Sequence, residues 1–557
     1  MQECFIEAKH VITLKYRTKC AKITYLARMK AISIFLLLLG FSTPVSAQDT
    51  KIIFLKANTK QVSTLDLSQF VSLKSMERRK RQGIGSDFFD VPVNREVLKQ
   101  LSQEGEILNV SRWLNALTIK TALTASELMS RHLFIDRIQV VKASNSTINK
   151  LVEQPKSLDY GLAIDQVQQL NLDCLHDLGF KGDGIYLGVI DAGFRNMDTI
   201  SYFDSVYLEG RVLDTFNFVN STATVYGFSG HGTAVSSCIV GEKTAPEEYA
   251  GTGINVDLAL YLSEDVASET EIEEFNLVAA LERCDSVGVD VVNISLGYFE
   301  YDDSTTSHVY ADLDGVTTIS AIGVNVAASK GIFVVSSAGN SGPSNISTPC
   351  DATGTFCVGA VDEFDDLAFF SSIGPAADGR VKPDVVARGQ QAWVIGQSGA
   401  LGQGSGTSFS SPILAGATAC LIQANPNRTV QEVMDAIRQS ASQFLSPDEF
   451  KGYGIPDFCI AHEILSDDTG LTEFKESNLV VYPVPTRETI SILGFPKQNG
   501  RVNIMLVNNL GKCVSSSEEQ SSQGQLALDV SALSNGVYTL VLTQKNSQIR
   551  RAISIMK

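Results

Sequence analysis

The sequence predicts an α/β protein: a three-layer sandwich on a parallel sheet, preceded by a small α+β domain and followed by a small all-β sandwich. Three observations predict it. Between 160 and 465, short apolar runs bounded by glycine (IYLGVIDAG, VDVVNISLG, GIFVVSSAGN, TFCVGAVD) alternate with helical stretches, as buried parallel strands and their crossovers do. Upstream, KIIFLKA, LNALTIK and RIQVV form an independent set of alternating segments within 48–154. Downstream of 478, VVYPVPT, TISIL, RVNIMLVNN, QLALDV, GVYTLVLTQ and RRAISIM give about six closely spaced short strands. A chain of 557 residues exceeds one ordinary core. The expected divisions are 1–47, 48–154, 155–465, a polar linker at 466–477 and 478–557.

In chain order, Met29-Lys30, the apolar AISIFLLLLGF and Val45-Ser46-Ala47 have the three parts of a secretory signal peptide. The apolar run is short for a membrane span, and the small-x-small ending favours cleavage, so no transmembrane anchor is expected in the mature form. Translation is expected to start at Met29, with 1–28 an extension or a long n-region. Basic residues cluster in that leader and at Arg78-Arg79-Lys80-Arg81. In the central part, the Phe275, Val278, Leu281, Cys284 and Ser286-Val287 positions of EIEEFNLVAALERCDSVG suit a helix with one apolar face. KPDVV at 382–386 reads as a strand, and Pro412 suits the first turn of a helix running through AGATACLIQA.

Composition narrows the function classes. Hydrophobic residues make up 44% and charged residues 19%, the mix of a folded globular protein. A net charge of −17 argues against a nucleic-acid partner. Export permits disulfides, and Cys350 and Cys357 flank a short turn in PCDATGTFCVG that one bridge could close. Cys238 and Cys420 read as small buried residues, and no Cys/His spacing suggests zinc.

Three short motifs carry the chemistry: Asp191 in GVIDAG, His231 in GHGT and Ser408 in SGTSFSSP. A serine hydroxyl must lose its proton as it attacks. A histidine can take that proton, and a buried aspartate can fix the imidazole tautomer and stabilise the imidazolium. Ser408 follows Gly402, Gly404 and Gly406 and opens a helix, whose amino-terminal dipole favours a developing anion. Taken alone, Ser408 could be a helix cap and Asn340 in SSAGNSG a turn residue before glycine. His176, His308 and His462 lie in polar or loop-like contexts, whereas His231 opens an apparent helix between glycines.

The order Asp, His, Ser, the GHGT and GTSxxSP contexts and SSAGNSG resemble the subtilisin-like serine peptidases over roughly 155–465. The departures are Ala192, Phe409 and Arg388, where Thr or Ser, Met and Pro are commoner. The resemblance implies a subtilisin-like sandwich and a serine endopeptidase working through an acyl-enzyme on protein or peptide substrates, with no cofactor required. It implies an oxyanion donor at Asn340 and substrate pairing along Ser295, Leu296 and Gly297. It also implies a primary pocket lined by Ala338 and Gly339, with its floor near 345–349.

Residues 48–154 then resemble the inhibitory and chaperoning propeptide of such enzymes, so the chain is expected as a zymogen with its own propeptide as a partner. YPVPT, LSNGVYTLVL and the Arg550-Arg551 strand resemble the C-terminal sorting domain of the type IX secretion system. That implies export through the periplasm of a Gram-negative Bacteroidetes bacterium to the medium or the cell surface, with the secretion machinery as a partner. Metal content stays open: Asp302, Asp303, Asp312 and Asp314 read as surface charges more readily than as calcium ligands. Two rivals stand beside the peptidase: a catalytically silent surface binding or adhesion protein on the same fold, and a lipase-like esterase. The esterase would need glycine two positions after Ser408, where Ser410 stands.

Overall fold

The structure is a computed structural model that describes residues 49–60, 66–141, 160–243 and 248–466. Beyond these it describes 480–482, 486, 489–493, 501–508, 512–520, 525–544 and 547–556. The expected signal peptide, the connection around 142–158 and most of the expected linker lie outside these residues.

Before the central sheet come β1 (Asp49–Leu55), α1 (Leu73–Arg81), α2 (Arg95–Leu101), β2 (Glu106–Ser111), β3 (Ala116–Thr121), α3 (Ala125–Arg131) and β4 (Ile135–Val141). The strands form one antiparallel sheet in the order β2–β3–β1–β4. Alternation along β1 divides its side chains between two cores. Ile53 and Leu55 join Val97, Leu101, Leu117 and Ile119 beneath the domain's own helices. Ile52 and Phe54 face the larger core of the central domain.

The central domain contains β5 (Tyr186–Asp191), β6 (Val212–Asn217), α4 (His231–Val240), β7 (Asp257–Leu262), α5 (Glu271–Val287) and β8 (Val291–Ile294). It continues with α6 (Ile319–Ser329), β9 (Phe333–Ser337), β10 (Thr355–Val361), β11 (Val385–Arg388), α7 (Thr407–Ala424), α8 (Val430–Ser440) and α9 (Phe458–Ser466). The seven strands of its main sheet are all parallel, in the order β11–β10–β9–β8–β5–β7–β6. Leu187, Val189 and Val291 point into a core with α4 and α7, while Tyr186, Ile190 and Val292 point into a second core with α5 and α6. Helices therefore cover both faces of the sheet, as the apolar runs require.

Helix α5 departs from the one-sided helix expected. Thr270 and Glu273 cap its start reciprocally and Gly288, at φ 97°, ends it. Yet Glu271, Glu273, Glu274, Glu282 and Asp285 on its polar side are buried as well. The α+β domain covers the later part of that side, where Glu282 accepts from Ser111 Oγ and from the Arg112 and Trp113 N–H groups, while Glu274 is held within the central domain by Tyr301, His308 and Ser320. The KPDVV expectation is corrected too, because the strand begins only at Val385. Lys382 and Asp384 instead form a buried ion pair at 2.8 Å. Pro412 lies inside α7 rather than in its first turn, since the helix already starts at Thr407.

Cys350 and Cys357 are joined by a disulfide, and Cys238 and Cys420 are buried free thiols. A second disulfide, Cys174–Cys459, spans 285 residues and was not foreseen. No local pattern announces a pairing at that separation.

The last domain, a separate compact unit, comprises β12 (Val480–Tyr482), β13 (Thr489–Leu493), β14 (Arg501–Asn508), β15 (Cys513–Gln520), β16 (Gln525–Asp529), β17 (Gly536–Gln544) and β18 (Ser547–Ile555). Antiparallel sheets β12–β13–β16 and β15–β14–β17–β18 enclose Ile490, Ile492, Ile504, Leu506, Leu540 and Leu542. Strand β15, CVSSSEEQ, escaped the sequence reading because it is almost wholly polar.

Candidate active site

The candidate residues converge at the carboxyl edge of the parallel sheet, where such folds place their ligands. Asp191 is the last residue of β5 and is fully buried. Its Oδ1 accepts from the Ala192 N–H at 2.7 Å and pairs with His231 Nδ1 at 2.8 Å. His231 opens α4, and Gly232 behind it is obligatory: a Cβ there would meet the Gly193 carbonyl at 2.6 Å. The imidazole remains 35% exposed, and Nδ1 is the nitrogen engaged by Asp191. Burial works against the imidazolium. The Asp191 carboxylate, by charge and by hydrogen bond, outweighs burial, and Glu264 adds to it, so the histidine is raised above its usual value.

Ser408 is the second residue of α7 and is 9% exposed. Its backbone N–H is among the amino-terminal groups without an intrahelical acceptor. The hydroxyl contacts the Ser295 carbonyl oxygen at 3.4 Å, and no hydrogen bond to His231 occurs among the described residues. A catalytic hydrogen bond that is long before substrate arrives is common. Ser295, just past β8, donates its hydroxyl to the Ser408 carbonyl at 2.9 Å and accepts from Asn293 Nδ2 at 3.0 Å. Asn293 Oδ1 in turn accepts from Ser411 Oγ at 2.7 Å. The nucleophile's turn is thus tied to the end of β8 by side chains from both elements.

Asn340 follows β9. Its Oδ1 accepts from Thr407 N at 2.8 Å and from Thr407 Oγ1 at 3.0 Å, which leaves the Nδ2 amide as the available donor beside Gly406. Thr407 also receives the Gly339 N–H at 3.1 Å. Ala338 is buried and Gly339 has φ 110°. A side chain at Gly339 would meet Ser372 Oγ at 2.9 Å and Ser347 Oγ at 3.1 Å, and one at Gly297 would collide with Ser347 Oγ. Ser347 lies within the expected 345–349 floor. Thr407, Ser372 and Glu264 were missed; only Thr407, inside GTSxxSP, carried a readable signal.

The departures from the commoner motif are accommodated by packing. Phe409 sits with its ring 6.3 Å from that of His231, in room left by Gly404. Arg388 is buried, with its guanidinium on the Gln390 and Gln391 carbonyls. His176 is not in a polar loop. It is buried between the Tyr160 hydroxyl and the Thr252 carbonyl. Asp303, Asp312 and Asp314 accept from neighbouring backbone N–H groups as turn caps, whereas Asp302 accepts from the distant Glu269 N–H at 3.2 Å. A different carboxylate group, Glu264, Glu269 and Glu273, brings oxygens within 4.8 Å of one another. Burial pushes them up to about 8, 7 and 10 respectively, aided by Glu269 at Glu264, by Asp302 at Glu269, and by Glu264 and Glu269 at Glu273.

Three parts of the chain are similar to known protein families. Residues 182–454 match the model of the subtilase family, 49–157 that of the Bacteroidota peptidase S8 propeptide domain and 480–556 that of the secretion system C-terminal sorting domain. Subtilisin amylosacchariticus of Bacillus subtilis subsp. amylosacchariticus is 28% identical over 54% of this chain and 71% of its own length. The membrane-bound transcription factor site-1 protease of Rattus norvegicus is 29% identical over 62% of this chain and 31% of its own. Among solved structures, the prenylagaramide maturation protease PagA overlaps 53% of this chain and 98% of its own at 21% identity and TM-score 0.42. MycP1 with its N-terminal propeptide removed overlaps 54% and 96% at 19% identity and TM-score 0.44. Among the described residues, no helix is long and apolar enough to cross a membrane.

Proposed function

Because this chain belongs, through residues 182–454, to the subtilase family of serine peptidases, we propose that it is a secreted endopeptidase acting through Asp191, His231 and Ser408. The observation that carries the reading is the 2.8 Å contact between His231 Nδ1 and the buried Asp191 carboxylate, at one sheet edge with Ser408. His231 Nε2 takes the Ser408 proton as Oγ attacks the scissile carbonyl, then returns it to the leaving amine; water reverses the sequence to release the acyl group. Asn340 Nδ2 and the Ser408 N–H receive the oxyanion. Substrate pairs as an added strand along Ser295, Leu296 and Gly297, with its primary side chain between that segment and Ala338-Gly339, where Ser347 limits the depth. Every group used comes from the chain, so the reading requires no cofactor.

The propeptide and sorting domains make the chain a zymogen addressed for secretion in Bacteroidetes. We assign its maturation cut to the chain's own triad, acting near 142–158, and its export to the type IX machinery that reads 478–557. Two experiments test the function. A fluorophosphonate probe should label the mature protein at Ser408 and leave Ser408→Ala unlabelled; an unlabelled wild-type enzyme would return the reading to a silent binding protein. Purified Ser408→Ala should be folded and uncut, and a mature N-terminus near 155 in that preparation would assign maturation to a separate protease.

A further inference from the structure

Between β1 and α2 the propeptide domain carries an excursion, described over residues 66–94, that contains α1. Its ERRKR stretch looks like a solvated basic run in the sequence, yet Arg78 and Arg79 are each only 1% exposed. Arg78 Nη2 binds Asp285 Oδ1 at 2.6 Å, and Arg79 Nη2 binds Asp285 Oδ2 at 2.6 Å. Arg112, from the turn after β2, reaches the same carboxylate at 3.1 Å. Arg79 Nη1 also binds Asp90 at 2.9 Å, and the buried Lys330 of the catalytic domain binds Asp90 at 3.1 Å and Asp87 at 2.6 Å.

The backbone contacts say where this segment sits. Lys74 Nζ donates to the Gly184 carbonyl at 2.9 Å, Arg78 Nη1 to that of Val289, Arg78 Nε to that of Lys330 at 3.1 Å and Gln82 Nε2 to that of Gly331 at 2.8 Å. These carbonyls lie just before β5, β8 and β9, at the amino edge of the sheet. The active site is at the opposite, carboxyl edge. Helix α5, 17 residues long, runs between the two edges and spans about 25 Å. Gly288 and Gly331, both at positive φ, admit the segment: a Cβ would meet Lys74 Cβ at 2.8 Å at the first and Gln82 Nε2 at 2.7 Å at the second.

We propose that this excursion is a second docking element of the propeptide, a two-arginine plug across the amino edge of the catalytic sheet, and that it holds the propeptide on the catalytic domain after the cut near 142–158. The proposal rests on the zymogen reading above. Its partner surface offers the Asp285 carboxylate and the Val289 and Lys330 carbonyls to the paired guanidinium groups, Asp290 to Lys74 and Arg81, and the Lys330 ammonium to Asp87 and Asp90. While the plug is seated these charges are paired and dry, so withdrawing one partner leaves its mates buried and uncompensated. The contacts of Lys74, Arg78, Arg79 and Gln82 with the catalytic domain lie at the amino edge, away from the cleft, so substrate competing at the active site does not displace them.

The test uses full-length Ser408→Ala chain nicked by trypsin at Lys142 or Lys150, with intact mass confirming the cut. The cut is thus independent of the chain's own catalysis, and a failure of self-processing would show separately, as wild-type chain that stays whole. The nicked propeptide should co-elute with the catalytic domain for hours after dilution. Arg79→Gln should speed its release at least about tenfold. Lys74→Ala, at a partly exposed site, should speed it severalfold and serves where Arg79→Gln does not fold. In the nicked parent, amide exchange at 73–82 should be as slow as in β1 and β3. Loss of the propeptide during the first column run, release rates unchanged in the folded variants, or exchange at 73–82 ahead of β1 would each overturn the proposal.

Discussion

The Ser295 hydroxyl donates to the Ser408 carbonyl at 2.9 Å, and that acceptor is free because residue 412, four positions on, is proline. In an uninterrupted helix the N–H of 412 would occupy the Ser408 carbonyl; proline has none. A residue that usually weakens a helix interior here releases one oxygen, and β8 uses it to hold the nucleophile's turn. Ser295→Ala removes a neutral hydrogen bond with a net worth of about 1 kcal/mol. We expect kcat/KM on a peptide substrate to fall about fivefold with little change in Tm. An unchanged kcat/KM would mean that helix α7 positions Ser408 without this tie.

Asn340 is held by its oxygen, through the N–H and hydroxyl of Thr407, so that its amide is the group presented. Asn340→Leu should lower kcat by about 10²–10³ while KM moves by less than a few fold, because the lost donor acts mainly on the tetrahedral state; that magnitude is recorded for subtilisin, a relative of this chain. Steady-state kinetics decide it. Near-normal kcat would reduce Asn340 to a turn residue.

The site was legible where chemistry is written in short local motifs. Asp191, His231 and Ser408 each sit among small residues that the backbone needs at that point, as Gly232 and Gly406 show. What could not be read depends on distant cover. Glu282 and Asp285 occupy positions on α5 that periodicity assigns to solvent, and residues some 200 positions upstream, among them Ser111, Arg112, Arg78 and Arg79, cover them. Ser347 and Ser372 reach Gly339 only through the folded loops after β9 and β10, and no spacing rule links them. Strand β15 is held by pairing with β14 rather than by its own composition.

Asp384 supplies a prediction about acid stability. Burial alone would raise its carboxyl, but Lys382 at 2.8 Å, Arg438 at 2.7 Å and the Cys357 N–H lower it from its ordinary 3.8 to about 2. A depressed folded value stabilises above the unfolded one, and that stability is lost as pH falls from 3.8 towards 2. The contribution at neutral pH is about 2 kcal/mol. Asp384→Asn should therefore lower Tm markedly at pH 7, and the gap to wild type should narrow below pH 4. A gap that stays constant down to pH 2 would assign the cost to packing rather than to charge.

The last prediction concerns the base. His231 must be neutral to accept the Ser408 proton, and its value is raised chiefly by Asp191 against burial. In the wild-type enzyme kcat/KM should accordingly hold at alkaline pH and fall as pH drops through a value above 6.5, the ordinary histidine value. Asp191→Asn removes both the charge and the carboxylate acceptor while keeping the side chain's shape. Two changes should follow together. The rate should drop by about 10⁴, as the tautomer is no longer fixed and the imidazolium no longer stabilised. The acidic limb of the residual activity should move to lower pH, since burial then dominates the histidine. The pH dependence of kcat/KM in both proteins checks this. A variant that loses rate but keeps the wild-type limb would show that Asp191 orients His231 without setting its proton affinity.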